Sequence, residues 1–266
     1  MKKNIVLAAF FFFAACSAAA AQWRALSPGL EFGQFRSPLY GPAEHAVISI
    51  LRVDTKYYEL RLFNASHPSQ QGEALTARQW GVKEGLTAVI NAAMYQTDYL
   101  TSVSYMRTSA HTNNPRVSKD KTFLMFEPLR ADIPPVRIVD TDCDNFEQAR
   151  AMYGSVVQSI RMISCTGRNV WQENNRRWSI AAAGMDTAGH LLFIHSTAPH
   201  SVHEFINVLR GLPISIQRAM YMEGGSPSQM YIAAPADTME FIGDFTAGGR
   251  SLGAPRVPNV IGVRKR

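Results

Sequence analysis

Short apolar or alternating runs rich in Val, Ile, Tyr and Phe recur along nearly the whole chain, and they constrain the fold more than any other feature. They fall at residues 46–53, 57–63, 86–92, 103–106, 122–126, 136–139, 179–184, 191–195, 219–222, 230–232 and 259–263. Runs of this length and composition read as strands. Two helices interrupt them. One is expected over residues 201–209: Ser201 and Glu204 form a capping box, Val202, Phe205, Ile206 and Leu209 make one apolar stripe, and Gly211 and Pro213 stop it. The second starts at Asp144, with Glu147 three residues on, and carries Phe146, Ala149 and Tyr153 on one side. Strands and helices alternate too irregularly for a doubly wound parallel sheet, and no Gly-x-Gly-x-x-Gly or Walker sequence is present to hold a nucleotide. The expected fold is α+β, a sheet-rich single domain with a few helices. A chain of 266 residues is long enough to bury a full core.

The first 21 residues read as a secretory signal peptide, leaving residues 22–266 as the domain. Lys2 and Lys3 precede an unbroken apolar run over residues 5–15, and small residues follow up to Ala21. That run is far shorter than the ~20 apolar residues a membrane-spanning helix needs, so none is expected. Two processing routes are open. Ala19-Ala20-Ala21 fits ordinary cleavage and release to the periplasm or medium, whereas Phe13-Ala14-Ala15-Cys16 resembles a lipoprotein signal that would anchor the chain through Cys16. The mature chain then keeps Cys143 and Cys165, an even count that predicts a disulfide in an oxidising compartment. The 27 basic and 21 acidic side chains give a net charge of +6, too small and too dispersed for a nucleic-acid footprint.

Three segments carry candidate chemistry. In residues 219–232 a strand ends on Glu223, passes through Gly224-Gly225-Ser226-Pro227-Ser228 and resumes as a strand. Glycines let the backbone approach a ligand closely, and consecutive N–H groups beside serine hydroxyls can form an anion-binding nest. A solvated hairpin turn is the other reading of the same residues. In residues 89–95 a buried-looking strand runs into Asn91, whose amide can orient a hydroxyl or a phosphate oxygen or can serve as a satisfied structural group. In residues 157–163 Arg161 interrupts an apolar stretch, and an inward guanidinium requires an anionic partner: a protein carboxylate or a substrate phosphate. The polar loop 108–120, with His111, Asn113, Asn114, Arg116 and Lys119, is long enough to serve a site.

Other chemistries fit less well. His195, His200 and His203 cluster without a His-Glu-x-x-His frame, so no metal or other cofactor is expected; His203 or His195 is instead a candidate to line the pocket. Gly224-Gly225-Ser226-Pro227-Ser228 begins like a nucleophile elbow but ends on Ser and leads into a strand.

Taken in order, Asn91-Ala92-Ala93-Met94-Tyr95, Ser159-Ile160-Arg161, the strand from Trp178 to Gly184, Glu223-Gly224-Gly225-Ser226 and the closing Pro258-Asn259-Val260-Ile261-Gly262-Val263 resemble the phosphodiester glycosidase family. The likeness spans roughly residues 46–263. The family's patterns more often carry Gly at the position of Ala93 and Asp at that of Glu223. The resemblance implies an exported hydrolase that cleaves a glycosyl–phosphate bond in a sugar phosphodiester. It would use Glu223 as the acid–base carboxylate and Asp98 as a second carboxylate, with Asn91, Arg161, Gly224, Gly225, Ser226 and His203 around the phosphate and sugar. The rival expectation is a non-catalytic carbohydrate-binding envelope protein on the same fold, altered at the acid position.

Overall fold

The computed structural model describes residues 23–41, 46–234, 237–244 and 253–266; the leader expected over residues 1–21, Cys16 included, lies outside them. The described chain begins with β1 (Trp23–Ser27), β2 (Leu30–Arg36), β3 (Val47–Val53) and β4 (Tyr58–Asn64), and α1 (Ala77–Glu84) leads into β5 (Ala88–Asn91). Next come β6 (Met106–Arg107), β7 (Thr112–Asn114), β8 (Thr122–Pro128), β9 (Val136–Asp140), α2 (Phe146–Arg150), β10 (Tyr153–Ser159) and β11 (Arg161–Ile163). The last part holds β12 (Trp178–Asp186), β13 (Leu191–His200), α3 (Val202–Gly211), β14 (Ile216–Gly224), β15 (Gln229–Ala234), β16 (Asp237–Ile242) and β17 (Asn259–Lys265). The α+β expectation holds.

The strands form three sheets. A seven-stranded sheet runs β1-β2-β3-β13-β12-β14-β11, one of five runs β16-β15-β5-β17-β4, and another of five runs β7-β6-β10-β8-β9. All three turn one face to a shared core: Leu51, Phe193 and Met222 from the first meet Ile90 and Ile261 from the second and Leu124 and Val157 from the third. The other face of the large sheet is covered by α3, where Phe205, Ile206 and Leu209 pack on Ile48, Ile50, Ile180 and Ile194. Its capping box forms as expected, with the Ser201 hydroxyl accepting from the Glu204 N–H. α1 covers the second sheet through Trp80, against Val89 and Tyr231.

The helix expected from Asp144 begins one residue later and ends sooner. Asn145 is the cap, its Oδ1 accepting from the Gln148 N–H, because the Asp144 carboxylate is held by Arg137 at 2.6 Å and Arg218 at 2.5 Å. Tyr153 opens β10 instead of closing the helix. Cys143 and Cys165 are disulfide-bonded, with Cα atoms 6.4 Å apart, and tie the loop after β9 to the turn after β11. Among the described residues no helix is long and apolar enough to cross a membrane.

Candidate active site

Glu223 occupies the floor of a cleft, and a slip in strand register precedes it. Along β12, Ala182 faces Tyr221 and Ala181 faces Glu223, so Met222 is an extra residue in β14. A bulge of this kind re-aims the side chains that follow it. Met222 turns into the shared core, whereas Tyr221 and Glu223 line a cleft of about 440 Å³ with Met94, Tyr95, Val103, Trp178, Gly224 and Pro227. Aromatic and apolar walls around one carboxyl group suit the faces of a sugar ring.

Glu223 is 8% exposed, and burial pushes the pKa of its carboxyl group up to about 7. The Gly224 N–H, donating to Oε1 at 2.9 Å, works against that rise. Near neutral pH the group therefore exchanges a proton readily, as a general acid must. Burial, and then the charge of Glu223, raises the phenol of Tyr221 above its ordinary range and that of Tyr95 to about 12, so both rings remain neutral donors. The Trp178 indole N–H donates to the Tyr221 hydroxyl at 2.9 Å. A Cβ added at Gly224 would lie 1.9 Å from that hydroxyl and 2.4 Å from Trp178 Nε1. The first glycine after the acid is required by space.

The loop after β5 supplies the opposite wall. Ala93 lies in the left-handed region at φ 65°, and the chain then doubles back, with Val103 N–H donating to Met94 C=O at 3.1 Å and Gln96 N–H to Thr101 C=O at 2.7 Å. Tyr95 and Val103 are thereby brought to the cleft. Asp98 sits at the exposed tip of this loop. Its carboxylate accepts from the hydroxyl and N–H of Thr101 and from the Leu100 N–H, bonds that lower its pKa. It forms the turn, and it is not among the residues that line the cleft with Glu223.

Asn91 acts one step behind the cleft. Its Nδ2 donates to the Pro227 carbonyl and its Oδ1 accepts from the Gln229 N–H, which joins the two glycine- and alanine-rich segments directly. Arg161 has taken the protein carboxylate of the two partners open to it: Nη1 meets Asp140 at 2.8 Å and Asp142 at 2.6 Å, beside the disulfide. It is not among the residues lining the cleft. The diglycine nest is also occupied, since the Gly224 N–H serves Glu223 and the Gly225 N–H donates to Ser179 C=O at 2.9 Å. Ser226 is half-buried in the turn beyond. His203 lies in the first turn of α3, where its carbonyl accepts from Asn169, away from the cleft. His195 is wholly buried beneath the turn, with Nε2 3.2 Å from the Ser228 carbonyl.

Of the expected site residues, Glu223 and Gly224 line the cleft and Asn91 fixes the turn beside them. Tyr95, Trp178 and Tyr221 also line the cleft and are not among the expected site residues. Period-two alternation along β14 puts Tyr221 on the face of Glu223, a signal available in the sequence.

Structurally, the chain is similar to the zebrafish N-acetylglucosamine-1-phosphodiester alpha-N-acetylglucosaminidase catalytic domain auto-inhibited by its pro-peptide, with a TM-score of 0.67 and 10% identity over 91% of this chain and 86% of that one. It is also similar to a hypothetical protein from Synechocystis, with a TM-score of 0.62 and 13% identity over 94% of this chain and 64% of that one. At these identities the likeness concerns the fold. No curated protein sequence matches significantly. The phosphodiester glycosidase family model matches residues 84–264, which include both walls of the cleft and its carboxyl group. By that match over more than half its length, the chain belongs to the phosphodiester glycosidase family.

Proposed function

We propose that this protein hydrolyses the bond between an anomeric carbon and a phosphate oxygen in a sugar phosphodiester, with Glu223 as the proton donor. The observation that carries this reading is a buried carboxyl group, its pKa raised to about 7, on the floor of a cleft walled by Trp178, Tyr95 and Tyr221. A carboxyl group with a pKa of about 7 is about half protonated near neutral pH, so it meets a phosphodiester with less repulsion than a fully ionised one would impose. In the reaction, water adds its oxygen to the anomeric carbon, the carbon–oxygen bond to phosphate breaks, and the departing oxygen takes the Glu223 proton. The proton released by water restores the acid. Phosphate is already a good leaving group, so orientation on the aromatic walls carries much of the catalysis.

The rival reading, non-catalytic carbohydrate binding, has one observation in its favour. Among the described residues that line the cleft, Glu223 is the only carboxylate and no Lys or Arg is present. Release of free sugar from a glycosyl phosphodiester by wild type and Glu223→Gln separates the two. Loss of ~10²-fold or more in kcat/KM for the variant, with binding retained, fits catalysis. Sugar binding without release by either protein favours the rival.

Export is part of the same proposal. The basic and apolar leader supports it, as does the Cys143–Cys165 bridge, which persists in oxidising compartments. Release to the periplasm or medium and retention through Cys16 are distinguished by the mass of the mature N-terminus.

A further inference from the structure

A second cleft opens at the other end of the large sheet. Asp186 closes β12 six residues beyond Ile180, the partner of Gly224, which separates the two places by roughly 20 Å at strand rise. This cleft, of about 640 Å³, is lined by Tyr57, Arg52, Glu31, Asp54 and His190 together with the β1–β2 turn.

Its polar groups are held in place from behind. The Arg52 guanidinium lies 3.8 Å from the centre of the Trp23 ring and pairs with Glu31 at 3.1 Å and Asp186 at 3.3 Å. His190 Nδ1 is 3.0 Å from the same Asp186 carboxylate, which also accepts from the His190 and Ala188 N–H groups. Among the described residues, His190 Nε2 and one oxygen each of Glu31 and Asp54 meet no protein hydrogen bond, so they remain for a ligand.

Tyr57 supplies a flat apolar surface. It is 48% exposed, and its ring packs against the backbone of Gly29, where an added Cβ would come within 2.5 Å of the ring. A ring seated in this way beside planar hydrogen-bonding groups suits a saccharide: the ring takes one face of the sugar, and the carboxylates and imidazole take hydroxyls. The charge selects among saccharides. Glu31 and Asp54 line the cleft, with Asp186 behind Arg52, and outnumber that one guanidinium, so a phosphorylated sugar is disfavoured.

We infer that this cleft is a saccharide-binding site separate from the Glu223 cleft and selective for uncharged sugars. It does not depend on the proposed hydrolytic activity. The test is titration of the whole mature protein with maltotriose, with triacetylchitotriose and with glucose 1-phosphate, followed through the backbone amide resonances of Gly29, His190 and Gly224. Saturable shifts at Gly29 and His190 with at least one neutral trisaccharide, weakened at least tenfold in Tyr57→Ala and kept in Glu223→Gln, are expected. Glucose 1-phosphate should bind there at least tenfold more weakly. Absence of saturable shifts at Gly29 and His190 with both trisaccharides would overturn the inference, as would binding unchanged by Tyr57→Ala or equally strong for the phosphosugar.

Discussion

The side-chain amide of Asn91 donates to the carbonyl of Pro227 at 2.8 Å, while its oxygen accepts from the Gln229 N–H at 2.7 Å. One residue at the end of β5 thus fixes the turn that follows the acid, across 136 positions of sequence. Replacing it with Ala leaves the buried Gln229 N–H without a partner and frees the half-buried Pro227 C=O, at a cost of roughly 1–3 kcal/mol. Asn91→Asp retains the acceptor for Gln229 but opposes a carboxylate oxygen to the Pro227 carbonyl. Both variants should lower the denaturation midpoint, and both should lower kcat more than they raise KM, because Asn91 orders the cleft without lining it.

Gly224 is constrained by space. A methyl group there meets the Tyr221 hydroxyl at 1.9 Å and the Trp178 indole nitrogen at 2.4 Å, so the hydrogen-bonded pair must move apart. Overpacking of this sort costs about 1–3 kcal/mol. Gly224→Ala should lose that much stability in denaturant unfolding and should also weaken substrate binding, since the displaced rings form the cleft wall. A variant with wild-type stability and an unchanged KM would mean that the Trp178–Tyr221 contact is dispensable.

Ala93 shows the opposite condition, a side chain where the backbone favours none. At φ 65° an alanine is strained by about 1–2 kcal/mol. Replacement by Gly relieves this but gives up a buried methyl worth about 0.8 kcal/mol and adds freedom to the unfolded chain. The terms nearly cancel, so Ala93→Gly should unfold within about 1 kcal/mol of wild type. Ala92→Gly, at a buried neighbour outside that region, should lose clearly more. Equal losses at both positions would refute strain at Ala93.

These residues also show what the sequence made legible. Most strands were readable, because short β-branched and aromatic runs have few other uses, and α3 was readable because cap, stripe and stop signals agreed. α1 escaped because its interior includes Gly81 and its buried residues are few, although the Thr76 and Gln79 capping box was present to be found. Glu223 was recognisable by its place at a strand end beside glycines. The role of Arg161 was not, since an inward guanidinium demands an anion without saying which, and Asp140 lay close by in three dimensions. Asp98 was likewise ambiguous: a carboxylate two or three residues before free N–H groups forms a turn as readily as it serves a reaction.

Glu223 and His195 impose opposite pH dependences on stability. Glu223, raised from 4.5 to about 7 on folding, binds more protons in the folded state, so stability falls as pH rises between those values and then levels off. His195, lowered by burial from 6.5 to about 4, binds more protons when unfolded, so stability falls as pH drops through that range. Each effect is on the order of 3 kcal/mol, and between about pH 4.5 and 6.5 the two slopes oppose one another. Burial lowers the pKa of His200 as well, which adds to the acid-side loss. Removing one group should expose the other. Glu223→Gln should gain stability over wild type above pH 7, converge with it below pH 4.5, and show stability rising steeply between pH 4 and 6.5. Chemical denaturation at closely spaced pH values reads this directly, and parallel curves for the two proteins would show that Glu223 titrates in the folded state much as it does in the unfolded chain.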